Sequence, residues 1–170
     1  MKNLKMMALC VAFGLFAASC SSTRSLTYDI MPKEGTATGG SVSFVQKDGQ
    51  VTMTVDATGL TPGLHAIHLH ETADCSAADF TSTGGHWNPA GSDHGRWGEE
   101  HFHMGDIGNL NADSNGNAKL IFVTDHWCIG CSDSSKNILG KSVIIHEAED
   151  DFHTQPTGNA GGRIGCIEIN

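Results

Sequence analysis

The sequence is short of positive charge. Ten Lys and Arg stand against nineteen Asp and Glu, a formal net charge of -9. Such a chain repels a polyphosphate backbone, so nucleic acid is excluded as a partner. Proline is scarce, with four residues, and tyrosine scarcer, with one. No stretch carries an amphipathic helical period and no segment repeats, which argues against a helical bundle or a solenoid. The 170 residues allow one domain with a sizeable core and not two ordinary ones. Against these shortages stand 21 glycines and ten histidines. Histidine in such excess points to metal or proton chemistry.

The only long apolar run lies at the start. Lys2 and Lys5 precede a nearly all-apolar stretch from Met6 to Ala18, about the length of a signal-peptide h-region and too short to span a bilayer comfortably. Ala17-Ala18-Ser19-Cys20 then closes on small residues and a cysteine. This is similar to a bacterial lipobox, although leucine is more usual where Ala17 stands. The expectation is a lipoprotein signal peptide over 1–19, a lipidated tether over 20–24 anchored to the membrane through Cys20, and a folded domain over 25–170. The plainer alternative is an ordinary secretory signal with an incidental cysteine. On either reading the domain works outside the cytoplasm, where disulfides persist. Cys10 leaves with the signal and Cys20 takes lipid. Cys75, Cys128, Cys131 and Cys166 remain, and their spacing does not choose among the possible pairings.

The rest of the chain reads as strands. Ser41 to Val45 alternates small polar and apolar residues, Lys47-Asp48-Gly49 is a turn signal, and Val51, Met53 and Val55 alternate with Thr52 and Thr54. Leu64 to His70 continues the habit. Asn109-Leu110 and Ala118 to Val123 flank Asp113-Ser114-Asn115-Gly116, which predicts a hairpin. Val143 to Ile145 and Arg163 to Ile169 supply late strands. Many short strands with regular turns imply an all-β antiparallel sandwich or barrel. Two stretches break the pattern, Glu71 to Met104 and Glu147 to Gly162. Loops of this length inside a compact domain are usually functional or disordered. Their histidines and acids argue for function.

In His68-Leu69-His70 the two imidazoles are two residues apart on a strand, so both face one side and can reach one ion. Alone this is a weak signal. His86, His94 and His103 punctuate the first loop, followed by Asp106, and three imidazoles with a carboxylate suit zinc. His146 ends the Val143–Ile145 strand. Four imidazoles suit copper, which is redox-active. The chain has enough ligands for two metals if one histidine is shared.

These residues carry a resemblance. Gly63-Leu64-His65-Ala66-Ile67-His68-Leu69-His70-Glu71 resembles the copper-binding strand of copper/zinc superoxide dismutases. Gly85-His86-Trp87-Asn88-Pro89 is similar to that family's bridging-histidine segment. His94-Gly95 and His103-Met104-Gly105-Asp106-Ile107-Gly108-Asn109 match its zinc segment, and His146-Glu147 with Asp150-Asp151 match the next element. Gly158-Asn159-Ala160-Gly161-Gly162-Arg163 matches the last, with Cys166 just beyond. The motifs run in family order from Gly63 to Cys166.

The resemblance implies a Greek-key, immunoglobulin-like β-barrel or sandwich of about eight strands with two long functional loops. It implies copper held by His68, His70, His86 and His146, and zinc held by His86, His94, His103 and Asp106. His86 is then the imidazolate bridge. Asp150 orients His68 and His94 from behind, and His65 is a structural neighbour. Arg163 attracts the substrate, the superoxide anion. Cys75 and Cys166 form the family disulfide. Dismutation to dioxygen and hydrogen peroxide needs a metal that cycles by one electron, which copper does and zinc does not. The alternative is a non-catalytic copper/zinc-binding module of the cell envelope.

Some residues fall outside the pattern. His101, His126 and His153 match no ligand position; His101-Phe102-His103 offers metal recruitment as an alternative, against which His101 reads as a solvated loop histidine. Trp97 reads as packing under the first loop. The second loop is shorter than in the family's animal enzymes and carries no Lys or Arg before Arg163. Trp127-Cys128-Ile129-Gly130-Cys131 is an addition. Its CxxC is a redox pair, a soft-metal site or a local disulfide, and the lack of a following helix favours the structural disulfide. The expected location is the envelope of a bacterium, as a periplasmic or outer-membrane lipoprotein. Dimer modes differ within the family, and a homodimer is compatible with the chain.

Overall fold

The computed structural model describes residues 23–170. The signal segment 1–19, Cys10 and Cys20 lie outside the described residues. Nine strands follow in chain order: β1 (Arg24–Asp29), β2 (Met31–Pro32), β3 (Gly39–Lys47), β4 (Gln50–Thr58), β5 (Gly63–His70), β6 (Asp106–Ala112), β7 (Ala118–Thr124), β8 (Ser142–His146) and β9 (Arg163–Glu168). Arg24, assigned to the tether from the sequence, is the first residue of β1. The helical content among the described residues is one 3-10 turn, Thr81–Thr83, and no helix there is long and apolar enough to cross a membrane.

The strands form two antiparallel sheets, a four-stranded one in the order β1-β3-β4-β7 and a five-stranded one in the order β2-β9-β8-β5-β6. The chain crosses between sheets after β1, β2, β4, β6 and β7, and these crossings give the Greek-key path. Period-two alternation explains which side chains meet. Val42 and Phe44 of β3 and Val51, Met53 and Val55 of β4 are fully buried, and they face Ile67 and Leu69 of β5, Leu110 of β6 and Val143 and Ile145 of β8.

The residues between these core positions matter more for function. Along β5, Ile67 and Leu69 face the core, so His68 and His70 point to the outer face of the five-stranded sheet. In register with them stand Ile144 and Ser142 of β8. This outer face is buried too, because the two long loops cover it. A second small apolar cluster of Cys75, Phe80, Ile144 and Cys166 sits there. Burial on both faces is why β8 reads Val-Ile-Ile without alternation.

One expectation fails. Asp113-Ser114-Asn115-Gly116 does make a tight turn, closed by Gly116 N–H to Asp113 O at 3.0 Å and Asp113 N–H to Asn117 O at 2.9 Å. But β6 and β7 belong to different sheets and do not pair. Gly116 has φ of +78°, and a Cβ there would collide with Leu60 O, so the turn packs against the β4–β5 connection. Its Gly116 O accepts from Leu60 N–H at 3.1 Å. That contact turns the chain from one sheet to the other, a geometry that the local turn residues do not encode.

The connection 125–141 is a third long loop. Trp127 is buried in the main core and donates Nε1–H to Met104 O at 3.0 Å. Beside it Cys128 and Cys131 are joined, and Cys75 is joined to Cys166 across a sequence separation of 91. The long-range bond ties the first loop to β9, whereas the other closes a separation of 3. Chain entropy therefore predicts unequal costs. Replacing Cys75 and Cys166 by serine lowers stability by about 4 to 5 kcal/mol, and replacing Cys128 and Cys131 by about 2 kcal/mol. Urea unfolding of the metal-stripped domain measures both, and equal losses contradict the assignment.

Candidate metal centre

Seven side chains meet on the covered face. β5 supplies His68 and His70, and β8 supplies His146 at its end, where a bulge between Ile145 and His146 shifts the register. The first loop supplies His86, His94 and His103, and β6 begins with Asp106. His86 is held against the sheet by an isolated bridge to His70, with Trp87 N–H donating to Leu69 O at 2.8 Å. Two groups result, His68/His70/His86/His146 and His86/His94/His103/Asp106, each with one potential ligand atom per residue within 4.8 Å of the others. All of these residues are buried, and His86 belongs to both groups.

The second group is organised by Asp106. Its carboxylate lies 2.8 Å from His86 Nδ1, 3.0 Å from His94 Nδ1 and 3.3 Å from His103 Nδ1. It also accepts the His103 and Gly95 backbone N–H groups. Burial alone raises the Asp106 pKa, but bonds from His103, His86 and His94 hold it far below the usual carboxylate range.

Asp150 joins the two groups from behind. Its Oδ2 lies 2.8 Å from His68 Nε2 and its Oδ1 2.9 Å from His94 Nε2. Asn109 fixes the Asp150 backbone, accepting its N–H at 2.8 Å and donating to its carbonyl at 3.0 Å. Here Gly158 is required: a Cβ would collide with Asp150 Oδ1. Burial alone raises the Asp150 pKa, and the two histidine bonds outweigh it and pull it below the ordinary value. Gln155 holds the same histidine by its backbone, its amide accepting His94 N–H and donating to His94 O, both at 2.8 Å. The sequence reading does not single out Asn109, Gly158 or Gln155 for these roles.

The remaining histidine edges are anchored one by one. His70 Nδ1 donates to Gly84 O at 2.9 Å. His65 stands apart from both groups, with Nδ1 at 2.9 Å from His146 O and Nε2 at 2.8 Å from Thr61 O. His101, His126 and His153 are also outside the groups and exposed, with the His126 ring edge-to-face with Trp97. Trp97 packs against Phe102, Phe122 and Trp127, pinning the first loop to the core. Arg163, at the start of β9, is half-buried beside the Phe80–Gly84 segment.

The anchoring leaves a specific set of atoms over. His68 Nδ1, His70 Nε2, His86 Nε2 and His146 Nε2 are buried with no hydrogen-bond partner, although the opposite nitrogen of each ring has one. A buried imidazole nitrogen without a partner costs stability. Four such nitrogens in one group are what a metal ion with a preference for imidazole satisfies. The second group has three nitrogens and a carboxylate, the donor set of zinc. The residues therefore fit copper in the first group and zinc in the second.

The charge states follow. Burial lowers the His68 pKa, with Asp150 opposing it in part. Burial, with neighbouring imidazoles, lowers those of His70 and His146 further, and burial lowers that of His86 to about 4. His94 is the exception: burial would lower it, but Asp106 and Asp150 together raise it to about 9. In the metal-stripped domain, four histidines are thus neutral when folded and take up protons on unfolding below their ordinary value of 6.5. Their contribution is present above that value and is lost as pH falls toward about 4, by about 1.4 kcal/mol per pH unit for each proton taken up. The His94 contribution runs the other way, complete below 6.5 and lost as pH rises through about 9. The stripped domain is therefore most stable near neutrality and loses stability from about pH 7 to about pH 5. Urea unfolding across that range checks it, and a flat profile contradicts it.

Comparison with known proteins agrees with this geometry. Residues 38–169 match the family described as copper/zinc superoxide dismutase. A curated protein from Drosophila melanogaster, extracellular superoxide dismutase [Cu-Zn], is 38% identical over 178 residues, covering 95% of this chain and 96% of its own. Among solved structures, a SOD-like protein from Bacillus subtilis superposes with a TM-score of 0.76 at 31% identity, over 85% of this chain and 97% of that one. A double mutant of that protein gives 0.75 at 32% identity, over 84% and 95%. With fold, ligand groups and sequence in agreement, this chain belongs to the copper/zinc superoxide dismutase family.

Proposed function

We propose that the domain dismutates superoxide, with copper at His68, His70, His86 and His146, zinc at His86, His94, His103 and Asp106, and Arg163 drawing the anion to the copper side. The observation that supports this most is the set of four buried, unpartnered nitrogens on one face of the sheet. When bound, copper supplies the one-electron couple and zinc a fixed positive charge.

The chain's own residues then divide the work. His86 presents Nδ1 to Asp106 and Nε2 to the other three histidines of the copper group, so it alone touches both sites. Its Nε2 is also the atom at which a proton can be held for the reduced product, because the opposite edge is fixed by Asp106. Asp150 keeps His68 and His94 in their ring orientations. His65 braces the His146 backbone. Arg163 supplies positive charge where the chain as a whole carries an excess of acid. The second loop contributes no lysine to that field. Beyond a Debye length of about 8 to 10 Å surface charges are screened at physiological salt, so a nearby guanidinium governs the final approach.

The two disulfides suit an oxidising compartment, and the domain is one of a secreted or envelope protein. The finer reading is a bacterial envelope lipoprotein, cleaved before Cys20 and anchored by its acylated thiol, with a homodimer as the compatible assembly. The small-small-Cys ending of the apolar run supports it.

Protein reconstituted with both ions holds near-equal amounts of copper and zinc and dismutates superoxide in pulse radiolysis. Arg163→Ala keeps both metals and lowers the second-order rate roughly tenfold or more, and Arg163→Lys restores part of it. Full metal content without turnover in the wild type would establish the binding-module alternative. The anchor is tested separately: in a bacterial host the full-length chain partitions with membranes and incorporates labelled palmitate, and Cys20→Ala abolishes both. A soluble, unlabelled wild type removes the lipoprotein reading.

A further inference from the structure

Thr83 closes the single 3-10 turn of the first loop and is fully buried. Phe80 before the turn and Gly84 after it both have positive φ, 61° and 77°. Between these bends the segment turns its polar atoms toward two groups of the proposed site. Thr83 Oγ1 donates to Phe80 O at 2.8 Å. That bond directs the hydroxyl's acceptor side elsewhere, and Arg163 Nη1 donates to it at 2.6 Å. The same oxygen lies 3.5 Å from Nδ1 of His70, the ring edge opposite the unpartnered Nε2.

The surrounding contacts show what this hydroxyl adds. Arg163 Nη1 also donates to Phe80 O at 2.6 Å, and Nη2 donates to Gly84 O at 2.8 Å. Gly84 O in turn accepts from His70 Nδ1 at 2.9 Å. Two carbonyls and one hydroxyl of a single turn therefore hold the guanidinium, and one of those carbonyls holds a copper-group histidine as well. Both carbonyls belong to the backbone and survive any substitution in the segment. The hydroxyl is the one side-chain anchor. It satisfies the second Nη1–H, which neither carbonyl engages, since Phe80 O takes one Nη1 donor and Gly84 O an Nη2 donor. With Nη1 fully engaged, the unengaged donors are Nε–H and one Nη2–H, available to an incoming anion.

We infer that Thr83 is a positioning residue for the anion site: its hydroxyl fixes the Arg163 guanidinium relative to His70, so that the free donors point to where a small anion meets the copper group. The inference rests on the reading of Arg163 given above. Thr83 touches neither metal nor anion and acts through Arg163. Without the hydroxyl, a half-buried guanidinium with an unsatisfied N–H reorients toward water.

The test uses the copper- and zinc-loaded domain and azide as the anionic probe. Azide affinity is read from the visible absorption of the copper site, the superoxide rate from pulse radiolysis, and copper content from metal analysis. Thr83→Val keeps the shape and removes the hydroxyl, Thr83→Ala removes it in a smaller side chain, and Thr83→Ser restores it. The expected result is a loss of about three- to tenfold in azide affinity and in rate for Thr83→Val and Thr83→Ala, at unchanged copper content, with Thr83→Ser close to wild type. Packing alone predicts a different order, with Thr83→Val nearest to wild type, and that order overturns the inference. So does wild-type azide affinity in both hydroxyl-free variants while Arg163→Ala loses it. If Arg163→Ala also binds azide as wild type does, the reading of Arg163 falls, and the role of Thr83 falls with it.

Discussion

The Asp150 carboxylate is the joint on which the rest of the centre depends. One oxygen meets His68 and the other His94, so a single buried side chain orients one imidazole in each ligand group. A buried carboxylate is costly unless its oxygens are fully used. Here Phe152 N–H donates to the same Oδ1 that faces His94, and Asn109 clamps the backbone on either side. The close approach of Gly158, where no Cβ fits, shows how little space the arrangement leaves.

This joint explains why two separate loops must cover one sheet face. Asp150 and Gln155 come from the second loop, whereas His94 comes from the first, and three contacts bring them together. The loops have independent anchors elsewhere. Trp97 and Trp127 hold the first to the core, and the Cys75–Cys166 bond holds its opposite end to β9. The scaffold thus fixes ligands without regular structure around them, as long loops on a rigid sandwich often do.

The same burial that organises the site opposes the fold when no metal is present. Four imidazole nitrogens of the His68/His70/His86/His146 group lie in the interior without partners, and each is a penalty that the hydrophobic core must offset. Metal binding converts that penalty into stabilisation, so loading and folding are coupled. A site built this way trades stability of the metal-free chain for ligands that need no rearrangement.

How far the sequence reached can be judged residue by residue. Alternation in β3 and β4 shows which side chains face the core, because a strand's period is two whatever packs on it. The His-Leu-His step places two imidazoles on one side for the same reason, and the motif order from Gly63 to Cys166 shows the family. By contrast, β1 is short and shows only Leu26 and Tyr28 as its inner pair, too few to stand out. The turn at 113–116 reads as a hairpin and instead joins two sheets. Spacing alone leaves the pairing of the four cysteines open; the family resemblance implies Cys75 with Cys166, and the fold makes that bond by bringing Cys75 to β9. Likewise, Asp150 reaches His68 across 82 residues, and Arg163 reaches Thr83 across 80. Periodicity and turn chemistry are local properties written along the chain, so they determined strands and candidate ligands. Which distant groups share a hydrogen bond depends on how the sheets and loops pack, and only the tertiary structure decided that.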